Sequence, residues 1–154
     1  MSLSLQQEIG LIGLAKGGHS LFYKNNSNKR RPVLREQAEQ VALVDWANKT
    51  TWNGILIGDF LTHVPNRDKS GPQAQKDFIE LGGSRGYPNL ILDIPTKKYP
   101  GLRIEMKAPS PYYSYMTSNQ ESWHEKLRAM GYCVEVCNSH EEGKALIMDY
   151  LTDR

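Results

Sequence analysis

Glu105 and Lys107 stand two residues apart in the run GLRIEMKAP, a carboxylate and an ammonium at a spacing that could do chemistry on a phosphate. In an extended strand they project from one side while Met106 points to the other. Asn89 opens the preceding apolar run NLILDIP, and pairing the two runs back to back brings it close to Glu105. A carboxylate, a second oxygen donor and an ammonium at one end of a hairpin can hold a hard divalent cation beside a phosphate. Magnesium takes oxygen ligands in octahedral geometry and keeps several waters, so one or two carboxylates suffice for it. The cation acidifies a water and neutralises phosphate charge, and the lysine puts positive charge where negative charge grows. By themselves Glu105 and Lys107 also fit a cross-strand ion pair on a surface. The flanking residues favour the site.

Those residues must be positioned by a hairpin, with Gly82, Gly83 and Gly86 before it as a helix stop and a turn. Upstream, Leu34, Ala38, Val41 and Trp46 predict one apolar stripe of a helix, which fades in the run Asn48-Lys49-Thr50-Thr51. GILIGDFLTHVPN then reads as two short strand pieces ending at Pro65-Asn66, and NRDKSGP as a loop. Pro72 is placed for the first turn of a helix that passes Phe78 and Leu81 and stops at Gly82-Gly83. After the hairpin, APSPYYSYMTSN is an irregular loop. Ser118 with Glu121 predicts a capping box, with Trp123, Leu127 and Met130 as the buried stripe and Gly131 as the stop. YCVEV is a strand, and Ser139 with Glu142 caps a last helix that turns Leu146, Ile147 and Tyr150 inward. The order predicts an α/β domain, a small mixed sheet with helices on its faces.

A chain of 154 residues is one domain's worth, able to bury a core without staples. With 39% hydrophobic and 23% charged residues it reads neither as disordered nor as a membrane protein. IGLIGLA is too short and Gly-rich for a signal peptide or a span, so a cytoplasmic protein without membrane contact is expected. The net charge of +2 does not announce a nucleic-acid binder, but Lys24, Lys29, Arg30, Arg31 and Arg35 cluster near the start. Cys133 and Cys137, four apart in a strand, lie roughly 13 Å from each other, whereas a disulfide needs Cα atoms within about 7 Å. They read as two buried thiols. His63 and His124 lack partners at ligand spacing and read as structural. Tyr112, Tyr113 and Tyr115 either stack on unpaired bases or pack on their own domain.

From about Arg35 to Tyr150 the chain resembles the VRR-NUC branch of the PD-(D/E)xK nuclease superfamily, and is similar to its small stand-alone versions carried by bacteriophages. The resemblance rests on Glu36-x-x-x-Gln40, Gly83-x-x-Gly86-x-Pro88-Asn89, Glu105-x-Lys107, Gln120-x-x-Trp123 and Gly131-Tyr132. Each motif is weak alone; in this order and spacing they are specific together. The resemblance implies a restriction-endonuclease-like α/β fold over 33–154, with 1–32 an N-terminal arm or loop. It implies a metal-dependent, structure-selective DNA endonuclease using Mg²⁺ or Mn²⁺, of the Holliday-junction-resolving kind. Cutting both strands of a junction needs two sites, so a homodimer is expected. By position Glu105 would ligate the metal, with the Met106 main-chain carbonyl beside it. Lys107 would orient the attacking water. Glu36 would reach the metal directly or through water, supported by Gln40 on the same helical face, and Gln120 would approach from the opposite side.

Asn89 departs from the family pattern, which has an aspartate there. An asparagine keeps the shape and an oxygen but not the charge. Asp93 shares its face but lies roughly 13 Å along the strand. Three explanations stand: a natural variant relying on Glu36 and Glu105, an inactive DNA-binding relative with the same fold, or a deliberate substitution that traps a bound state.

Overall fold

The computed structural model describes residues 35–65 and 71–153. The expected N-terminal arm and most of the NRDKSGP loop lie outside the described residues. Helix α1 occupies 35–47 and gives way to a turn at Asn48 and Lys49, where the polar, β-branched run begins. Its buried stripe differs from the expected one. Leu43 and Ala47 are fully buried, whereas Val41 is 67% exposed. At 3.6 residues per turn, positions 36, 40, 43 and 47 follow one side of the helix and Val41 lies opposite. The anchor of α1 and its two candidate site residues therefore share a stripe.

The strand pieces after α1 resolve into β1 (Thr51–Trp52) and β2 (Ile55–Leu56), a 3-10 turn at Ile57–Phe60, and β3 (Leu61–His63). β1 and β2 form a two-residue hairpin through Asn53 and Gly54, both at positive φ. Asn-Gly between short apolar pieces is a strong local hairpin signal, and it accounts for a strand where the sequence predicts only a fading helix. Helix α2 (Pro72–Glu80) starts with Pro72 in its first turn, as expected. Then come β4 (Leu90–Leu92), β5 (Leu102–Met106), helix α3 (Ser118–Ala129), β6 (Cys133–Cys137) and helix α4 (His140–Leu151). Among the described residues no helix is long and apolar enough to cross a membrane.

The main sheet has four strands in the order β3-β4-β5-β6, antiparallel except for the parallel pair β5 and β6. It is the mixed, helix-flanked sheet of a restriction-endonuclease-like fold. Strand β5 is buried along its whole length, so both its faces are covered. Alternation sends Leu102, Ile104 and Met106 into the main core with Leu43, Leu90, Leu92, Ile147 and Tyr150. Arg103, Glu105 and Lys107 face the other way, toward α3.

Helix α3 is capped one residue earlier than expected. The Thr117 hydroxyl accepts from the Gln120 main-chain N–H while the Gln120 side chain accepts from the Thr117 N–H. Its buried face is accordingly Gln120, His124 and Leu127. Met130, expected inside, is 73% exposed at the C-terminus, and Trp123 meets Tyr87 edge-on at 5.1 Å. Ser139 caps α4 by accepting from Glu142 N–H, and Ile147, Tyr150 and Leu151 are buried as α4 meets α1. Cys133 and Cys137 are free thiols, as expected, with Cys133 only partly buried.

One glycine sets how closely α3 approaches the hairpin. Gly86 has φ +81°, and a Cβ there would sit 2.6 Å from the Asn119 carbonyl carbon and 2.7 Å from Gln120 N. Main-chain atoms cannot step aside as a flexible side chain would. Gly86→Ala should therefore lower stability by about 1–3 kcal/mol and displace the start of α3, read as a lower urea midpoint; an unchanged midpoint would refute this role for Gly86.

Candidate active site

The β4–β5 ladder pairs Leu90 with Ile104, Ile91 with Arg103 and Leu92 with Leu102. Continued by one step, the register sets Asn89 opposite Glu105. There β4 ends while β5 runs on, so Met106 N–H has no main-chain acceptor on that flank. The Asn89 Oδ1 takes it at 2.9 Å. A strand residue's N–H and C=O face the same neighbour, so the Met106 carbonyl opens onto this same gap. The sequence-expected grouping of Asn89, Glu105 and Met106 is thus brought together by where the sheet stops.

Glu105 is 1% exposed. Its Oε1 accepts from Gln120 Nε2 and lies 3.4 Å from Lys107 Nζ, itself buried. The Gln120 Oε1 accepts from Lys107 Nζ and from Thr117 N–H, both at 2.9 Å. The amide of Gln120 is thereby fixed in one orientation, its nitrogen on the anion and its oxygen on the cation. Lys107 also donates to the Tyr115 carbonyl at 3.4 Å. The second carboxylate oxygen, Glu105 Oε2, is buried with no hydrogen-bond partner.

Burial pushes the Glu105 carboxyl up to about 7, against the pull of Lys107 and the Asn89 main-chain amide; Glu36 pushes it further up. Glu36 therefore lies near Glu105. Helix α1 is tied to this end of the sheet at a second point. His63 Nδ1 lies 2.9 Å from Gln40 Nε2 and 3.1 Å from the Asn89 carbonyl oxygen. That one nitrogen can accept from Gln40 or donate to the Asn89 carbonyl but not both at once, so His63 sits between Gln40 and Asn89, a position that an isolated histidine did not signal. His124, one turn beyond Gln120, is also closer to the site than its spacing suggested. Burial first, then Arg128 and Lys107, lower it to about 4, so its ring is neutral, and its Nε2 is buried without a partner. Asp93 is turned to Arg103 at 3.5 Å, away from this cluster.

The donor set around the gap is oxygen-rich: Glu105 Oε2, the Met106 carbonyl, Glu36 and the Asn89 carboxamide. An unpartnered buried carboxylate oxygen is costly, and a hard dication would satisfy it, so the residues fit magnesium or manganese. Asn89 limits the fit. Its oxygen already accepts from Met106, and its other terminal atom is a nitrogen that donates and cannot ligate. Among the described residues no three His, Cys, Asp or Glu side chains group as a metal cluster. A carboxylate at position 89 would add the missing charge.

The family model of the VRR-NUC domain matches residues 34–141. Among solved structures, a chain described as a VRR_NUC domain protein is similar, with a TM-score of 0.66 and 31% sequence identity. The match covers 77% of this chain and 88% of that one. No curated protein matches the chain. The buried Glu105–Lys107 pair, its Gln120 clamp and the gap at the end of β4 therefore sit in a chain that belongs to the VRR-NUC family of the PD-(D/E)xK superfamily and carries a nuclease-type domain.

Proposed function

We propose that this chain is a Mg²⁺- or Mn²⁺-dependent endonuclease acting on branched DNA, working as a homodimer that cuts both strands of a junction. The observation that carries the reading is the buried Glu105 carboxylate with one unpartnered oxygen, held beside the fixed ammonium of Lys107. Glu105, the Met106 carbonyl and Glu36 would hold the metal, with Asn89 as a weak oxygen donor. When bound, the ion would supply an acidified water and neutralise charge on the scissile phosphate. Lys107 binds the phosphate's non-bridging oxygens and stabilises the charge that develops on them. Gln120 keeps that ammonium and the Glu105 carboxylate apart and aligned. Gln40, beside His63, and the buried Leu43 and Ala47 on the same stripe hold α1 so that Glu36 stays near the gap.

A second reading has its own support. With its Oδ1 committed to Met106, Asn89 serves as the cap of a strand end, which a DNA-binding module without catalysis would also need. Cleavage separates the two. A labelled four-way junction and a matched duplex are incubated with Mg²⁺ or Mn²⁺, the protein and its Asn89→Asp variant. The nuclease reading expects the junction to be cut, with Asn89→Asp much faster. Junction binding without cleavage by either protein would leave the binding module in its place.

Lys107→Ala should reduce cleavage by about 10²–10³-fold while junction affinity changes little; an unchanged cleavage rate would remove Lys107 from the mechanism. Glu105→Gln separates metal binding from folding. In the metal-free protein the raised carboxyl is stabilising in its neutral form, fully below the ordinary value of 4.5. That contribution fades as pH rises to about 7 and is gone above it. At pH 8 with chelator, Glu105→Gln should therefore unfold at the same or higher urea concentration than the parent. Added Mn²⁺ should raise the parent's midpoint and not the variant's. Equal stabilisation of both by Mn²⁺ would exclude Glu105 as a ligand.

A further inference from the structure

The segment between Lys107 and Thr117 is irregular, yet its C-terminal end is pinned to the site at two points. Lys107 Nζ donates to the Tyr115 carbonyl, and Thr117 N–H donates to Gln120 Oε1. A third tie comes from α1, where the Arg35 guanidinium lies 3.9 Å from the centroid of the Tyr112 ring. Arg35 immediately precedes Glu36, so this contact joins the loop to the side of the gap that α1 supplies. Tyr112 is thus one loop tyrosine that packs on its own domain.

Its neighbours do not. Tyr113 is 62% exposed and Tyr115 is 92% exposed. Among the described residues neither ring makes an aromatic or cation–π contact, whereas Tyr87, Tyr99, Tyr112 and Tyr132 all do. Aromatic rings contribute large apolar area to a core, and the fold leaves two of them in water beside its charged centre. The main chain of Tyr115 is fixed by the ammonium assigned to the scissile phosphate. A nucleotide whose phosphate meets Lys107 would therefore carry its base, or that of the adjacent nucleotide, within reach of the Tyr115 ring. In a continuous duplex that base is stacked and paired, with no free face. An unpaired base has one, and a tyrosine ring accepts any base because every base has a π-face.

Resting on the nuclease reading above, we infer that Tyr113 and Tyr115 form a stacking platform for unpaired bases next to the cleaved phosphate. Among branched and gapped DNAs, those with single-stranded nucleotides beside the cut are then bound best, ahead of a fully paired junction, and the loop selects them by stacking rather than by base edges. Lys107 and the positive charge of Arg35 hold the backbone, while the tyrosines read whether the bases beside it are paired.

The test is fluorescence anisotropy in chelator at fixed salt. It compares a duplex with the same duplex carrying a short single-stranded gap, for the parent, Tyr115→Ala, Tyr113→Ala/Tyr115→Ala and Tyr115→Phe. The parent should bind gapped DNA more tightly. Tyr115→Ala should lose about tenfold on gapped DNA and less than twofold on duplex, the double variant should lose more, and Tyr115→Phe should retain the preference. Because both rings are exposed, matching urea midpoints are expected to show that the variants fold. Equal parent affinity for the two DNAs, or equal losses on both, overturns the stacking platform and leaves the nuclease reading standing. Failure of the parent to bind either DNA also overturns the platform, and the nuclease reading falls with it only if a four-way junction is left unbound too.

Discussion

Placing an ionisable pair inside a sheet is unfavourable unless the surrounding polar groups replace water. Glu105 lies near the end of a strand covered on both faces and Lys107 just past it, and much of the surrounding architecture meets that demand. Gln120 donates to one partner and accepts from the other. It can do so only because α3 begins where its own N-cap turns the amide inward, and α3 can come that close only because Gly86 has no side chain. A capping residue, a turn glycine and a strand-end ion pair are therefore one arrangement rather than three separate features. The same arrangement leaves the other carboxylate oxygen of Glu105 buried without a hydrogen-bond partner.

The gap itself follows from unequal strand lengths. Strand β4 stops at Leu90 while β5 continues to Met106, and the Asn89 carboxamide closes the ladder in place of a main-chain group. Across the opening, α1 presents Glu36 and Gln40 from the stripe that also buries Leu43 and Ala47. Rotating α1 to withdraw Glu36 would drag Leu43 out of its contact with α4, where it packs so closely on Gly143 that a Cβ there would meet its methyl carbon at 2.6 Å. The acidic wall of the site thus takes its position from the hydrophobic core, with His63 seated between Gln40 and Asn89 at the same end.

Much of this was readable from the chain because strand period and cap chemistry are local. Glu105 and Lys107 sharing a face follows from alternation alone, and Asn89 opposite Glu105 follows from the antiparallel register. What failed to read correctly depended on choices made by tertiary contacts. Val41 and Leu43 are equally apolar, and only docking against α4 decides which is buried. Thr117-Gln120 and Ser118-Glu121 both spell a capping box one residue apart; the ion pair under α3 selects the frame that turns Gln120 inward. His63 and His124 gave no signal because their partners are a glutamine and a carbonyl for one, and packing for the other. Asn53-Gly54 did carry a hairpin signal, and the short β1–β2 pair shows that local turn chemistry outweighed the polar run before it.

The Lys107 ammonium is held by the Gln120 oxygen and the Tyr115 carbonyl in the free protein. Its place is settled when the chain folds, not when a substrate arrives. A lysine on a free four-carbon stem would have to lose rotamer freedom and shed water as charge builds on a phosphate. Here the fold already holds and desolvates the ammonium, so the proposed phosphate chemistry would ask little reorganisation of it.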